Sequence, residues 1–446
     1  MTKPLKKQHR RLSAFQYIVI GFAGVILAGT LLLMLPVASQ SRTFTPFGDA
    51  LFTAVSATCV TGLVVRDTAS TWSYFGQAVI LILIQIGGLG VVTVAASLSM
   101  ISGRKINLLQ RSTMMESISA NQVGGIVKIT LFVIRTALAV ELSGALLLLA
   151  PFIKTYGTRG IWKAFFVSIS AFCNAGFDLM GTSGEPFQSI VSFGDNPAVI
   201  IVVILLIVIG GIGFFTWDDF RENGIHLKRF RMQSKVILIT SAVLIVLPSI
   251  WFFFVDFSDM TLRRRILVSL FQAVTPRTAG FNSVDFSALT GGGRAIMTVL
   301  MLIGGAPGST AGGMKVTTIA VLFANMSATF TRKNDGVMLR RRIEPEAVKR
   351  ASTVLTMYLT AFISSAIAIS QIEGIPLYLC LFETASAVGT VGLTLGITPS
   401  LHIASRIILM ILMYLGRVGA LTLIYAALPG SHLKSDNYPR EKITVG

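Results

Sequence analysis

Thr58-Cys59-Val60-Thr61-Gly62 is a short string of small and polar residues, and it returns three more times along the chain. The other copies are Phe172-Cys173-Asn174-Ala175-Gly176, Pro276-Arg277-Thr278-Ala279-Gly280 and Val388-Gly389-Thr390-Val391-Gly392. The final glycines, at 62, 176, 280 and 392, are 114, 104 and 112 residues apart. A large apolar residue follows each glycine, and a short apolar segment of helical length precedes each string. Four copies at a nearly constant period predict four structural repeats.

The composition identifies the solvent in which these repeats fold. Of 446 residues, 53% are hydrophobic and only 13% are charged, and the mean hydropathy is +0.74. A soluble protein could not hydrate such a surface, so we expect a lipid bilayer around the chain. Lys and Arg outnumber Asp and Glu by 38 to 20. In a membrane protein this excess indicates cytoplasmic loop charge, and we expect no nucleic-acid partner.

Long apolar segments flank every string. Eight of them, about 15–38, 74–102, 125–153, 197–217, 235–256, 295–330, 350–371 and 402–428, are long enough to cross about 30 Å of hydrocarbon. Shorter segments, 46–58, 161–173, 264–275 and 376–388, end at the four strings and are too short to cross. We therefore predict an all-α integral membrane protein of four pseudo-symmetric span–pore-helix–span repeats. It has eight transmembrane helices and four re-entrant pore helices around one central pore.

The loops give the orientation and the division of the chain. Basic residues concentrate at the N-terminus and in the loops after the second, fourth and sixth spans. The positive-inside rule then places these loops and both termini in the cytoplasm. The predicted parts are the N-terminus 1–14, repeat one 15–102, a loop 103–124, repeat two 125–217, a loop 218–234, repeat three 235–330, a loop 331–349, repeat four 350–428 and the C-terminus 429–446.

The strings have the composition of an ion filter. A potassium ion loses water in a narrow pore, and rings of backbone carbonyl oxygens can replace that water. Glycine admits the φ > 0 conformations that such a backbone requires. We predict that Thr58–Gly62, Phe172–Gly176, Arg277–Gly280 and Gly389–Gly392 form a potassium-binding selectivity filter. Only Thr390-Val391-Gly392 comes close to a potassium-channel string, so we expect looser selectivity than in a true channel.

A second glycine register lies in the latter span of each repeat. In the third repeat it opens into Gly304-Gly305-Ala306-Pro307-Gly308-Ser309-Thr310-Ala311-Gly312-Gly313-Met314-Lys315. A proline and several glycines in mid-span cannot form a stable helix. We predict an irregular intramembrane loop that gates the pore, with Lys315 just beyond it holding one of its states. A packed kink is the alternative.

In the fourth repeat an arginine, Arg417, replaces the second glycine of this register. A charge in mid-span is costly and faces a cavity or a partner by default. We favour a barrier on the ion pathway, and an ion pair with Glu141 or Glu383 is the alternative.

Other charges within or near the spans are less informative. Lys128, Arg135 and Glu141 share one span and are expected to be structural. Asp49, Asp67, Asp178 and Glu383 could concentrate cations at the outer mouth, and a solvated surface is an equally good interpretation. The four histidines do not cluster, which gives no sign of a metal site other than the monovalent cation in the filter.

Taken together, the four strings, the loop ending at Lys315 and the arginine at 417 resemble the Trk/Ktr/HKT superfamily of potassium transporters. Within it the chain is most similar to the membrane subunits of bacterial Ktr systems, over nearly its whole length. The resemblance implies potassium uptake through one pathway, with Gly62, Gly176, Gly280 and Gly392 as the filter glycines, 304–313 as the gate and Arg417 as the pore arginine.

The resemblance also implies partners and a location. Ktr members are homodimers in the bacterial cell membrane, assembled on a cytoplasmic ring of separate nucleotide-binding (ATP/ADP or NAD) subunits, and sodium often stimulates them. No nucleotide motif occurs in this chain, so we expect no cofactor here. Some plant relatives carry serine in the first string; glycine at position 62 disfavours their sodium selectivity.

Two other functions compete with potassium uptake. A sodium-coupled secondary transporter of another cation would bind its substrate at broken helices near the midplane. Repeats of equal orientation and the strings argue against it. An intramembrane enzyme would need a nucleophile, a base or a metal cluster within the spans, and the sequence shows none.

Overall fold

The computed structural model describes residues 12–101, 108–117, 125–286 and 289–428. The predicted N-terminus 1–14 and loop 103–124 lie mainly outside these residues, and the C-terminus 429–446 lies wholly outside them. The helices are α1 (Ala14–Met34), α2 (Phe47–Thr58), α3 (Thr68–Thr71), α4 (Tyr74–Leu89), α5 (Val91–Ile101), α6 (Leu108–Ser117), α7 (Ile126–Tyr156), α8 (Arg159–Phe172), α9 (Pro197–Gly211), α10 (Phe214–Asn223), α11 (Met232–Trp251), α12 (Leu262–Val274), α13 (Gly291–Leu302), α14 (Val316–Phe330), α15 (Pro345–Glu373), α16 (Leu377–Gly389), α17 (Ile403–Val418) and α18 (Ala420–Ala427).

The first helix of each repeat is a long apolar span. These are α1, α7, α11 with its π-helical extension to Asp256, and α15, with 21, 31, 25 and 29 residues. All four are apolar enough to cross a bilayer, and they match the predicted first spans. Local sequence fixes their ends. Ser13 and Gln16 form a capping box at the start of α1, and Gly374 in the left-handed conformation ends α15.

The pore helices of the four repeats are α2, α8, α12 and α16. They contain 12, 14, 13 and 13 residues, or about 18–21 Å at 1.5 Å per residue, too little to cross the hydrocarbon. Each ends at one of the glycine strings. In their carboxy-terminal halves nearly every side chain is buried, because the other repeats surround them. The predicted architecture of four span–pore-helix–span units is confirmed.

The second span of each repeat differs from the continuous helix that its apolar length suggested. In repeats one, two and four it bends by 98°, 96° and 94° between two helices. Gly90, Gly213 and Gly419 lie at the three bends with φ of 89°, 91° and 92°. A left-handed glycine ends an α-helix while the chain stays apolar. In repeat three a loop at 303–315 separates α13 from α14.

The glycines just before these bends allow the second span to touch its own pore helix. A Cβ added to Gly87 would clash with the carbonyl oxygen of Thr58 at the end of α2. Gly210 and Gly416 stand in the same relation to the carbonyls that end α8 and α16. The glycine register therefore brings each broken span against the base of a string.

One element in the predicted cytoplasmic loop 331–349 was missed. β1 (Val337–Met338) and β2 (Arg341–Arg342) form an antiparallel hairpin, with Val337 paired to Arg342. Two-residue strands have no periodicity that could be recognised in the sequence.

The close approach of Gly87 to the carbonyl of Thr58 predicts that one added methyl group destabilises the protein. We expect Gly87→Ala to lower the stability of the purified protein by about 1–3 kcal/mol, since the carbonyl of Thr58 cannot yield without moving the string. Thermal unfolding in detergent measures this change. The matched control is Gly24→Ala in α1, where no atom outside its chain neighbours and the adjacent backbone of α1 lies within 4 Å of the added methyl group. That control should be neutral or stabilising; equal losses in both variants would contradict the packing described.

Candidate ion-binding site

The four string glycines pack against one another in a closed ring. A Cβ added to Gly62 would lie 2.5 Å from the carbonyl oxygen of Ala175 and 3.1 Å from the Cα of Gly176. A Cβ added to Gly176 would lie 3.0 Å from the Cα of Gly280, and one added to Gly392 would lie 2.9 Å from the Cα of Gly62. No side chain fits at any of them. The four strings therefore surround one narrow axis.

The residue before each glycine completes a ring of carbonyl groups. Its oxygen lies against the glycine of a neighbouring string, in the pairs Ala175–Gly62, Ala279–Gly176, Val391–Gly280 and Thr61–Gly392. Within the described part of the chain these four oxygens accept no hydrogen bond. They are thus four unbonded acceptors, each beside the glycine of a neighbouring string.

Left-handed backbone occurs twice in every string. The glycines have φ between 68° and 94°, and the residue two positions earlier is also left-handed. These earlier residues are Val60, Asn174, Thr278 and Thr390, with φ of 56°, 57°, 70° and 52°. Such a conformation is uncommon outside glycine and costs most for a β-branched residue. The same two positions are therefore left-handed in all four strings, which gives the four copies a common backbone conformation.

The amide groups of the strings bond back to their pore helices. Thr61 N donates to Ser56 O at 2.8 Å, and Gly62 N donates to Ser56 Oγ at 3.1 Å. Val391 and Gly392 make the same two bonds to Ser386. The pore helices therefore bond the N–H groups of these two strings, whereas the carbonyls of Thr61 and Val391 accept no hydrogen bond among the described residues.

The string side chains point away from this axis where their contacts are known. Arg277 reaches from string three to Ser241 Oγ on α11 at 2.9 Å, so only its backbone can belong to the ring. The hydroxyl of Thr278 donates to the amide oxygen of Asn174 at 3.1 Å, which joins strings two and three. Cys173 is buried with a free thiol.

A cavity of about 170 Å³ lies on one side of the glycine ring. All four glycines line it, together with Asp67 and Asp178. Burial raises the pKa of the Asp178 carboxyl to about 7, and the neighbouring Asp67 carboxylate adds to the effect. This mouth therefore carries acidic groups whose charge a cation could neutralise.

The other two predicted mouth carboxylates do not line this cavity. Asp49 forms ion pairs with Arg66 at 2.6 Å and Arg406 at 3.1 Å. Glu383 accepts hydrogen bonds from the hydroxyls of Thr394, at 2.8 Å, and Thr398. Both are satisfied by protein groups.

The glycine-rich loop of repeat three lies on the other side of the strings. Its two ends are pinned together, since Gly304 N donates to Met314 O at 2.7 Å and Val316 N to Gly305 O at 3.0 Å. Between them Thr310 Oγ1 donates at 3.0 Å to the carbonyl of Phe172, at the base of string two. The predicted irregular loop is present, buried, and in contact with a string.

This loop also bonds to the broken spans around it. Ala306 N and Thr310 N donate to the last carbonyls of α9, on Gly211 and Gly210. Gly313 N donates to Gly416 O at 3.1 Å. Lys315 Nζ donates at 2.7 Å to Ala311 O, a carbonyl of the loop itself, instead of to a carboxylate.

Arg417 joins the loop to the bend of repeat one. Its Nε donates to Gly87 O at 3.1 Å and its Nη2 to Gly88 O at 2.8 Å, both at the carboxy-terminal end of α4. Its Nη1 donates to Thr310 O. Among the described residues it forms no ion pair, with Glu141, Glu383 or any other carboxylate. A cavity of about 290 Å³ lies beside these groups, lined by the loop, Arg417 and two of the bend glycines, Gly90 and Gly419.

Sequence reasoning missed two features that position this site. The bend glycines follow the glycine pairs by two or three positions, as in Gly87-Gly88-Leu89-Gly90, and this third glycine was the available signal. Serines stand six residues before the glycine in repeats one, two and four; two of them bond a string amide through the hydroxyl and the backbone carbonyl, and the one in repeat two does so through its backbone carbonyl alone. They are Ser56, Ser170 and Ser386.

Comparison with known proteins gives a consistent result. A family model described as TrkH, cation transport protein, matches residues 2–435. The chain is 37% identical to the potassium/sodium uptake protein NtpJ of Enterococcus hirae over 458 residues, covering 100% of both. It is also 37% identical to Ktr system potassium uptake protein B of Bacillus subtilis over 418 residues, covering 92% of each.

A solved structure shares the fold. The potassium transporter TrkH from Vibrio parahaemolyticus superposes with a TM-score of 0.75 at 18% sequence identity, over 95% of this chain and 87% of that one. The chain therefore belongs to the TrkH family of cation transport proteins, and it is a multi-pass membrane transporter and not an enzyme.

Proposed function

We propose that this transporter carries potassium ions into the cell through a channel-like filter made of the four strings. The observation that supports this most is the ring in which the carbonyls at 61, 175, 279 and 391 each face a neighbouring glycine. Unbonded carbonyl oxygens at one level can replace the hydration shell of an ion that has lost its water. Asp67 and Asp178 at the mouth would raise the local cation concentration before entry.

Potassium as the ion is inferred from relatives. The Bacillus subtilis relative is named a potassium uptake protein, and the Enterococcus hirae relative a potassium/sodium uptake protein. The second name supports a role for sodium, which we propose stimulates uptake. Only the fourth string is close in sequence to a potassium-channel string, which is consistent with modest discrimination between the two ions.

The loop 304–313 and Arg417 form the proposed gate. The loop contacts the base of string two through Thr310, and Arg417 holds Thr310 to the bend of α4. In this arrangement a positive charge and the loop stand together under the strings, where both would oppose a passing cation. Opening requires the loop to retract and Arg417 to release at least one of its carbonyl partners.

The control of this gate belongs to a cytoplasmic partner in our proposal. The helix α14 runs directly from the loop to the hairpin that carries Arg341 and Arg342, about 22 Å for 15 residues. The arginines of this hairpin are exposed. We propose that a ring of nucleotide-binding subunits docks on this basic segment in a homodimeric assembly, with both termini cytoplasmic, and pulls on α14.

The filter assignment predicts a loss of selectivity. We expect Gly62→Ser and Gly392→Ser to lower the ratio of potassium to sodium uptake about tenfold, a change of about 1.4 kcal/mol, because a Cβ there displaces a ring carbonyl. Uptake by the purified protein in lipid vesicles gives the ratio. Growth of a potassium-uptake-deficient bacterium at low potassium tests the ion and the direction.

Gly184→Ser is the matched control, since no atom lies within 4 Å of a Cβ at that exposed glycine. It should leave the ratio unchanged. An unaltered ratio in both ring variants, with correctly folded protein, would rule out the ring as the filter.

The gate assignment predicts partner-independent flux. Arg417→Ala removes the bridge between Thr310 and α4, and deletion of residues 307–311 removes the part of the loop under string two. Both changes should give high potassium flux without the cytoplasmic partner, measured in the same vesicles. Arg406→Ala in the same helix, whose arginine pairs with Asp49, should keep the partner dependence. If the two gate variants fold and still need the partner, the loop is a packed kink.

A further inference from the structure

A buried carboxylate stands behind the second string and has no place in the pathway described above. Glu141 lies near the middle of α7 and is only 4% exposed. An ionisable side chain at that depth in a bilayer is costly and needs a partner or a role. The sequence suggested a structural ion pair, but no cation within the described residues lies within 4.0 Å of its oxygens.

Its partner is an amide from the neighbouring repeat. Gln85 Nε2 on α4 donates to both carboxylate oxygens of Glu141, at 3.0 and 3.1 Å. Gln85 stands just before Gly87 and Gly88, the carbonyls that hold Arg417. Glu141 is therefore bonded to the same short stretch of α4 that receives the proposed gate.

The third member of this cluster belongs to the string itself. The thiol of Cys173 lies 3.5 Å from Gln85 Oε1 and 3.9 Å from Glu141 Oε1. Its Sγ occupies the space left by the missing side chain of Gly88, 2.6 Å from where a Cβ would be. String two is thus held from behind through its own thiol, by the amide of Gln85 on α4 and the acid of Glu141 on α7.

We infer that Glu141 is a positioning residue that sets the ion preference of the filter by fixing string two through Gln85 and Cys173. The inference rests on the proposed function, since it requires string two to be part of the filter. A ring of carbonyls discriminates between ions through its dimensions and the orientation of its dipoles. Loosening one of four strings changes both, without altering any group that the ion touches.

A comparison within the molecule argues against simple packing as the role of the acid. Cys59 stands at the position in string one that Cys173 occupies in string two, and it is also buried and free. In the described part of the chain no carboxylate hydrogen-bonds to Cys59. A cysteine at this position therefore packs well without an acid, and the acid behind string two needs another explanation.

The test exchanges the two polar partners. Glu141→Gln keeps the size of the side chain but leaves Gln85 facing an amide, so one hydrogen bond is lost. We expect the ratio of potassium to sodium uptake to fall about two- to tenfold, the range that one hydrogen bond spans. The double variant Glu141→Gln with Gln85→Glu restores an acid–amide pair and should recover the ratio. Glu346→Gln, at an exposed glutamate, is the control that should change nothing.

Gly62→Ser in the same vesicles separates the possible failures. If it lowers the ratio while Glu141→Gln leaves it unchanged, the filter stands and the role of Glu141 is refuted. If neither variant changes the ratio, the proposed filter itself fails. The remaining outcome is a lower uptake ratio in Glu141→Gln that the double variant does not recover. If both variants also melt at a lower temperature than the unmodified protein, the role of Glu141 is merely structural and the inference is overturned.

Discussion

The structure depends on one constraint: a helix that stops inside a membrane leaves carbonyl groups that only the protein or trapped water can satisfy. All four second spans of this transporter stop in this way. Their ends converge, so that the groups freed in one repeat are bonded by another. Three of the four ends are capped by the loop of repeat three or by Arg417, through the carbonyls of Gly87, Gly88, Gly210, Gly211 and Gly416.

This arrangement links the proposed gate to the filter by energetics as well as by position. Retraction of the loop would expose the carbonyls that it now bonds, at about 1–3 kcal/mol for each buried group left without a partner. Water entering the cavity beside Arg417 can replace those bonds. We therefore expect opening and hydration of the cavity to occur together, and the closed state to be the dry one.

The sequence predicted the repeats and the site because four copies of one string carry a periodic signal. It could not predict the left-handed conformations of Val60 or Thr390, since a β-branched residue is disfavoured there and only the assembled ring enforces it. The bends at Gly90 and Gly419 could not be predicted from hydropathy, because the residues on both sides of each glycine are apolar. Hydropathy indicates that a segment lies in the membrane but not the direction in which it runs. The partner of Glu141 depends on which helices become neighbours, which a single sequence does not encode locally.

The repeats are alike in backbone and different in their side chains. Each of the four strings contributes a glycine to the ring. The second position of the other glycine register, in contrast, is glycine in three repeats and Arg417 in the fourth. In the proposed mechanism a symmetric filter lies over an asymmetric base, so that the ion would meet equal carbonyls first and the charge of Arg417 afterwards.

The most direct test of the account is to locate the ion. Diffraction data from crystals of the transporter grown in rubidium, collected at the rubidium absorption edge, would show anomalous density wherever the ion binds. A filter at this ring predicts density on the axis between the carbonyls of Thr61, Ala175, Ala279 and Val391. Density confined to other sites, with well-ordered strings and an empty axis, would contradict it.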